Sequence, residues 1–97
     1  MRKWLRKALD QAGGDIAEAY LFGSVLDPTR EPNDIDLVVV SADGADGPAW
    51  HRVRKWREDV GARFFACFGV PLSVLIATPS EWRELDGTVI RKRELLR

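Results

Sequence analysis

Leu21-Phe22-Gly23-Ser24-Val25-Leu26, then a polar loop, then Asn33-Asp34-Ile35-Asp36-Leu37-Val38, is the stretch whose reading decides the fold. Ile16 to Phe22 reads as a strand, with Ile16, Tyr20 and Phe22 assigned to one face. Gly23 breaks it. Ser24 to Asp27 has the form of a capping box, with Ser24 as the cap and Asp27 reaching back. Pro28 disfavours helix at Asp27, so any helix here is limited to one turn. Residues 28–33 hold two prolines and an asparagine and read as loop. Asp34 to Ser41 is the second strand. Its run Leu37-Val38-Val39-Val40 is apolar without alternation, as in a strand covered on both faces.

Helical periodicity appears on either side of this pair of strands. Trp4, Leu5, Ala8, Leu9 and Ala12 recur at helical spacing, which predicts an amphipathic helix over residues 2–12, ended by Gly13-Gly14. Ala42 to Gly47 reads as loop. Its Asp43 and Asp46 lack the remaining ligands of a calcium loop. Pro48 opens a long helix with Trp50, Val53, Trp56, Val60, Phe64 and Cys67 near one stripe, and Gly69 ends it. Val70 to Ala77 is a third strand. Thr78-Pro79-Ser80-Glu81 is a strong helix start, with a Thr cap, Pro at the first position and Glu at the third. Asp86-Gly87 interrupts that helix, and Thr88 to Arg97 reads as a last basic helical segment. The expected architecture is α/β (in the wider sense α+β): a small mixed sheet packed with helices, as a single domain over residues 1–97.

Composition narrows the class of function. The chain has 97 residues, 45% of them hydrophobic, enough for one small core. Fifteen basic and fifteen acidic residues cancel, so no global charge recruits nucleic acid or an acidic membrane, and neither partner is expected. No segment has the length or apolarity to span a bilayer, nor does the N-terminus show a signal-peptide core, which makes the cytoplasm the expected compartment. Cys67 is the one cysteine, which excludes an internal disulfide and a cysteine-based zinc cluster. Its place on the apolar helix stripe predicts a buried, inert thiol.

The chemistry lies in the opening stretch. Asp34 and Asp36 are two apart on a strand, so their carboxylates share a face. At an effective dielectric near 20, two such charges about 4 Å apart repel by about 4 kcal/mol. Keeping both ionised requires a cation between them; otherwise one takes up a proton. Mg2+ suits the place, because it prefers oxygen ligands and shares them between carboxylates and substrate phosphates. Ser24 supplies a hydroxyl and a backbone N–H, and Gly23 lets another group approach the backbone closely. N–H groups at a helical start favour an anionic phosphate. Arg30, in the loop between turn and carboxylates, is placed to reach a phosphate. A metal on the Asp pair can bridge phosphate oxygens, and a second can activate an attacking hydroxyl.

An apolar strand, Gly-Ser, a polar loop and an Asp-x-Asp entering a second apolar strand together resemble the signature of the nucleotidyltransferase superfamily that includes DNA polymerase β. The resemblance is nearest to its minimal, single-domain prokaryotic members and covers most of the chain. It implies that Gly23 and Ser24 hold the triphosphate of ATP or another nucleotide and that Asp34 and Asp36 bind Mg2+. The implied reaction is transfer of a nucleoside monophosphate to a hydroxyl with release of pyrophosphate. Active members usually carry a third carboxylate on a later strand. The matching strand here is Val70-Pro71-Leu72-Ser73-Val74-Leu75-Ile76, which puts Ser73 at that position, and residues 60–80 contain no Asp or Glu. A hydroxyl does not replace a carboxylate as metal ligand or base.

Minimal nucleotidyltransferases of this kind are often encoded beside a HEPN-domain protein as a toxin–antitoxin pair. The resemblance therefore implies an antitoxin that modifies or binds a protein partner. The alternative is a binding module that has lost its chemistry at Ser73 and acts by occluding a partner. His51 and the basic face of Arg52, Arg54, Lys55 and Arg57 read as solvated surface. Trp4, Trp50 and Trp56 read as core, and Trp82 as partly exposed. Uncovered tryptophan and the small core make a homo-oligomer an expected state.

Overall fold

The computed structural model describes all 97 residues. Helix α1 (Arg2–Ala12) leads through a 3-10 turn into strand β1 (Ile16–Phe22), and a second 3-10 turn covers Gly23–Leu26. Strand β2 (Ile35–Ser41), helix α2 (Pro48–Phe68), strand β3 (Leu72–Ala77), helix α3 (Pro79–Leu85) and strand β4 (Arg93–Leu95) follow. The strands form one mixed sheet in the order β3-β2-β1-β4. β1 runs antiparallel to β2 and β4, and β2 runs parallel to β3. This is the mixed α+β sheet expected from the sequence. No helix is long and apolar enough to cross a membrane.

The sheet is covered on both faces, unequally. On one face α1 contributes Leu5 and Leu9, and α2 contributes Val53 and Phe64. They close over Ala19, Leu21, Ile35, Leu37 and Val39. The Trp4 ring meets Phe64 edge-on at 5.5 Å, and Trp56 Nε1 donates to the Ala8 carbonyl at 3.1 Å, which ties the two helices together. On the other face only α3 is available, and its buried Trp82 packs with Val38, Val40, Ala77 and Ile90. Alternate residues of β2 therefore enter different cores, which explains its unbroken apolar run.

Local signals account for the helix ends. The carboxylate of Asp43 accepts from Ala49 N and Trp50 N, both at 2.9 Å, and satisfies two free donors at the start of α2. Asp43 is thus a helix cap, as its loop setting allowed. Gly69, at φ 71°, closes the helix in the left-handed conformation. At α3 the capping box is complete: Thr78 Oγ1 accepts from Glu81 N at 3.3 Å, and Glu81 Oε1 accepts from Thr78 N at 2.9 Å.

Five local expectations are corrected. Thr88 to Arg97 is not helical: residues 93–95 pair with Tyr20, Leu21 and Phe22 as β4, because the edge of β1 offers unpaired backbone groups. Cys67 is exposed, since the buried stripe of α2 is Ala49, Val53, Val60 and Phe64 and has turned away by its last turn. Trp82 is buried while Trp4, Trp50 and Trp56 are only half-covered, because α3 alone covers its face of the sheet. Ile16 does not share a face with Tyr20 and Phe22, because a bulge between Ile16 and Glu18 shifts the register. Ser24 makes no side-chain cap. Asp27 instead accepts from Thr29 N at 2.9 Å and Thr29 Oγ1 at 2.6 Å, within the loop.

Candidate active site

Directly paired residues in neighbouring strands point to the same side of a sheet. The register therefore draws a row across all four strands on the α3 face: Ser73, Asp36, Phe22 and Arg93. Helix α3 covers the other end of this face, over Val38, Val40 and Ala77. The end bearing the row stays open, with Asp36 half-buried and Ser73 exposed. Asp34 lies just before β2, where the N–H of Ile35 donates to the Pro71 carbonyl at 3.0 Å and fixes the strand's start beside β3.

Gly23 joins the turn to the carboxylates. Its φ is 74°, and a Cβ placed there would run into the Asp36 carboxylate. Only glycine lets the backbone that opens the 3-10 turn lie against Asp36. Ser24, half-buried, follows at once. The turn and the carboxylate strand thus meet, as their sequence spacing allowed.

The Asp pair is electrostatically uncompensated. Neither Asp34 nor Asp36 has a side-chain hydrogen bond or a basic partner within ion-pair distance, whereas five other acidic groups have a basic partner at that distance. The Asp36 carboxyl is pushed above its ordinary value, first by burial and then by the charge of Asp34. A divalent cation fits this donor set: two hard oxygen ligands, short of positive charge, on an open surface. No group of three or more His, Cys, Asp or Glu side chains comes together anywhere in the chain. Ser73 stands one strand spacing from Asp36, about 4.8 Å, in the position read for a third carboxylate.

Arg30 is exposed on the loop. It lies near Asp27, whose carboxyl is held low chiefly by the Thr29 hydrogen bonds and more weakly by the fields of Arg30 and Lys92. An open cavity of about 530 Å3 adjoins Gly23. Phe22, Leu26 and Ile90 line its apolar part, and Asp27, Arg91 and Lys92 its charged part. Sequence reading passed over Arg91 and Lys92 as members of a terminal helix. The signal that marks them is the basic run Arg91-Lys92-Arg93 after a buried Ile90. The other tempting groups stay apart: Arg52 forms a two-pronged pair with Asp15, both bonds 2.8 Å, Arg54 lies over the Trp50 ring, and exposed His51 faces Asp46 at 3.7 Å.

Solved structures that share this fold include two toxin–antitoxins. One is a toxin–antitoxin crystallised with AMP-PNP, matching 99% of this chain and 72% of its own at 20% identity and a TM-score of 0.64. The other is the toxin–antitoxin MntA-HpeT in a mutant with two aspartates changed to glutamate, matching 100% of this chain and 73% of its own at 20% identity and a TM-score of 0.63. No curated protein sequence matches the chain. The family model for the nucleotidyltransferase domain matches residues 2–92, which takes in the Gly-Ser turn, the Asp pair and the strand that carries Ser73. With a family model matched over residues 2–92, a mixed sheet, and Gly23 set against Asp36, the chain belongs to the nucleotidyltransferase domain family.

Proposed function

We propose that this chain is a minimal nucleotidyltransferase of the antitoxin kind. It binds a nucleoside triphosphate, ATP in the first instance, with Mg2+, and transfers the nucleoside monophosphate to a hydroxyl on a partner protein. The observation that supports this reading is the close approach of Gly23 to Asp36, which brings the Gly-Ser turn beside a charge-deficient carboxylate pair on an open surface. A neighbour in fold was crystallised with a nucleotide analogue, and both neighbours are toxin–antitoxins. A partner with a HEPN domain fits the pairing expected from the sequence.

In this reading Asp34 and Asp36 hold the magnesium, which supplies charge neutralisation across the phosphate oxygens. Gly23 and Ser24 orient the phosphates through backbone N–H groups and the Ser24 hydroxyl, and Arg30 approaches from the loop. The acceptor oxygen bonds to the α-phosphorus, the bond from that phosphorus to the leaving pyrophosphate breaks, and the acceptor's proton passes to solvent. Positioning and electrostatics account for most of the catalysis in such a site.

Ser73 favours a second reading. Its place beside Asp36 leaves the row without a group that binds a second cation or takes the acceptor's proton. The domain then binds nucleotide and partner without transfer and acts by occlusion. Labelled ATP, Mg2+ and the product of the neighbouring gene separate the two. Label on the partner that disappears with Asp34→Asn/Asp36→Asn supports transfer. Stable complex formation with no label supports occlusion.

A further inference from the structure

The turn-and-carboxylate stretch is poorly charged for its proposed ligand. Residues 23–36 contain Asp27, Glu31, Asp34 and Asp36 against Arg30 alone. A triphosphate brought here with one magnesium leaves a large excess of negative charge, so further cations must come from another part of the fold.

Such cations stand across the cavity beside Gly23. Ile90 is buried in the core under α3, and Arg93 is paired with Phe22 in the sheet. Arg91 and Lys92 are the two residues between these anchors, so their backbone is fixed at both ends. Both line the cavity, both are exposed, and neither has a carboxylate within ion-pair distance; Arg91 Nε donates to the Thr88 carbonyl at 3.3 Å, and Lys92 acts on Asp27 only through its field. Arg93 is committed elsewhere: it pairs with Asp86 at 2.9 Å and lies over the rings of Tyr20 and Trp82. The remaining wall is apolar through Phe22, Leu26 and Ile90, apart from the Asp27 carboxylate, which is already engaged by Thr29 N and Thr29 Oγ1. A volume of about 530 Å3 in which two cations outnumber the single Asp27 carboxylate beside an apolar wall suits a ligand that joins a polyanion to a flat organic body.

We infer that Arg91 and Lys92 form the cationic half of the nucleotide site and receive the polyphosphate as it leaves the metal-binding carboxylates over Gly23. This rests on the nucleotide reading above and adds two binding residues and a place for the ligand. Phe22 and Gly23, the cavity residues that neighbour Asp36, connect the two halves.

Calorimetric titration of the full chain with ATP, AMP and inorganic tripolyphosphate, in Mg2+ and in EDTA, tests it. Arg91→Gln/Lys92→Gln is expected to weaken ATP and tripolyphosphate by about tenfold or more, to weaken AMP less, and to flatten the salt dependence of binding. Its circular dichroism and melting temperature should match wild type, because both side chains are exposed, and Lys92→Arg should retain binding. Asp34→Asn/Asp36→Asn should lose the magnesium enhancement yet still bind tripolyphosphate in EDTA. Wild-type affinity in Arg91→Gln/Lys92→Gln overturns the inference and leaves the metal reading standing. Tripolyphosphate binding that needs Arg91 and Lys92 while magnesium never strengthens ATP overturns the metal reading and leaves the cationic wall.

Discussion

Gly23 and Asp36 show how much rests on two residues. At Gly23 an added methyl group meets both a left-handed φ of 74° and the Asp36 carboxylate. Gly23→Ala should cost about 1–2 kcal/mol of stability from backbone strain alone. It should also weaken magnesium-dependent ATP binding by more than Ser24→Ala does, which denaturant melts and titration calorimetry would check. Asp36 carries a raised carboxyl pKa in the folded chain, through burial and then Asp34. The folded state thus holds the ionised form at a cost, present at neutral pH and fading as pH falls through the raised value towards that of the unfolded chain. Asp36→Asn should accordingly raise the melting temperature of the metal-free protein at pH 7 and lose that advantage in acid. Magnesium with ATP should raise the melting temperature of wild type but not of Asp36→Asn. Ser73→Asp places a carboxylate in register with Asp36. It should lower the metal-free melting temperature and tighten magnesium binding, and an unchanged magnesium affinity would show that Ser73 lies outside the metal site. These positions were legible in the sequence because each was marked by residue type and short-range spacing. The pairing of Ser73 with Asp36 was legible only through the apolar pattern of β3, which fixes a strand's register.

Among the elements, α3 is the one whose signals were strongest and whose role was least visible. Thr78-Pro79-Ser80-Glu81 announced its start, and both bonds of the capping box are made. Removing the cap with Thr78→Ala should cost about 1 kcal/mol. What the sequence did not convey is that α3 alone closes one face of the sheet, with Trp82 stacked on Tyr20 at 4.9 Å. Trp82→Ala should therefore cost about 3–5 kcal/mol by thermal or urea unfolding, more than truncation of half-covered Trp50. The same limit explains the C-terminus. Residues 93–95 become a strand because β1 has an open edge, and that is a property of the assembled sheet rather than of local periodicity. At the end of α2 a stripe read at ideal spacing carried Cys67 inward, yet the thiol is exposed. A native thiol titration should find it fully reactive without denaturant, and a thiol that reacts only on unfolding would contradict this placement.

At the scale of the whole molecule, the two faces of the sheet have different tasks. Two helices cover one face, burying its centre and leaving its β3 edge partly exposed. The other is left half open, and the open half carries Asp36, Ser73 and the cavity with Arg91 and Lys92. A chain with no net charge has arranged its charges locally, with Asp34 and Asp36 on one side of Gly23 and Arg91 and Lys92, beside Asp27, on the other. Element order could be read from periodicity and turn residues as far as α3, and three of the four strands with it. The cavity could not, because it joins residues 22–28 to residues 89–92 and exists only once β4 has paired. The central claim is that Asp34 and Asp36 hold a metal-bound nucleotide in that open half. Calorimetric titration of ATP in Mg2+ and in EDTA, on wild type and on Asp34→Asn/Asp36→Asn, tests it most directly. The account predicts binding to wild type that magnesium strengthens by at least about tenfold, an enhancement absent from the double variant. Equal affinity with and without magnesium, or the same enhancement in the variant, would contradict it.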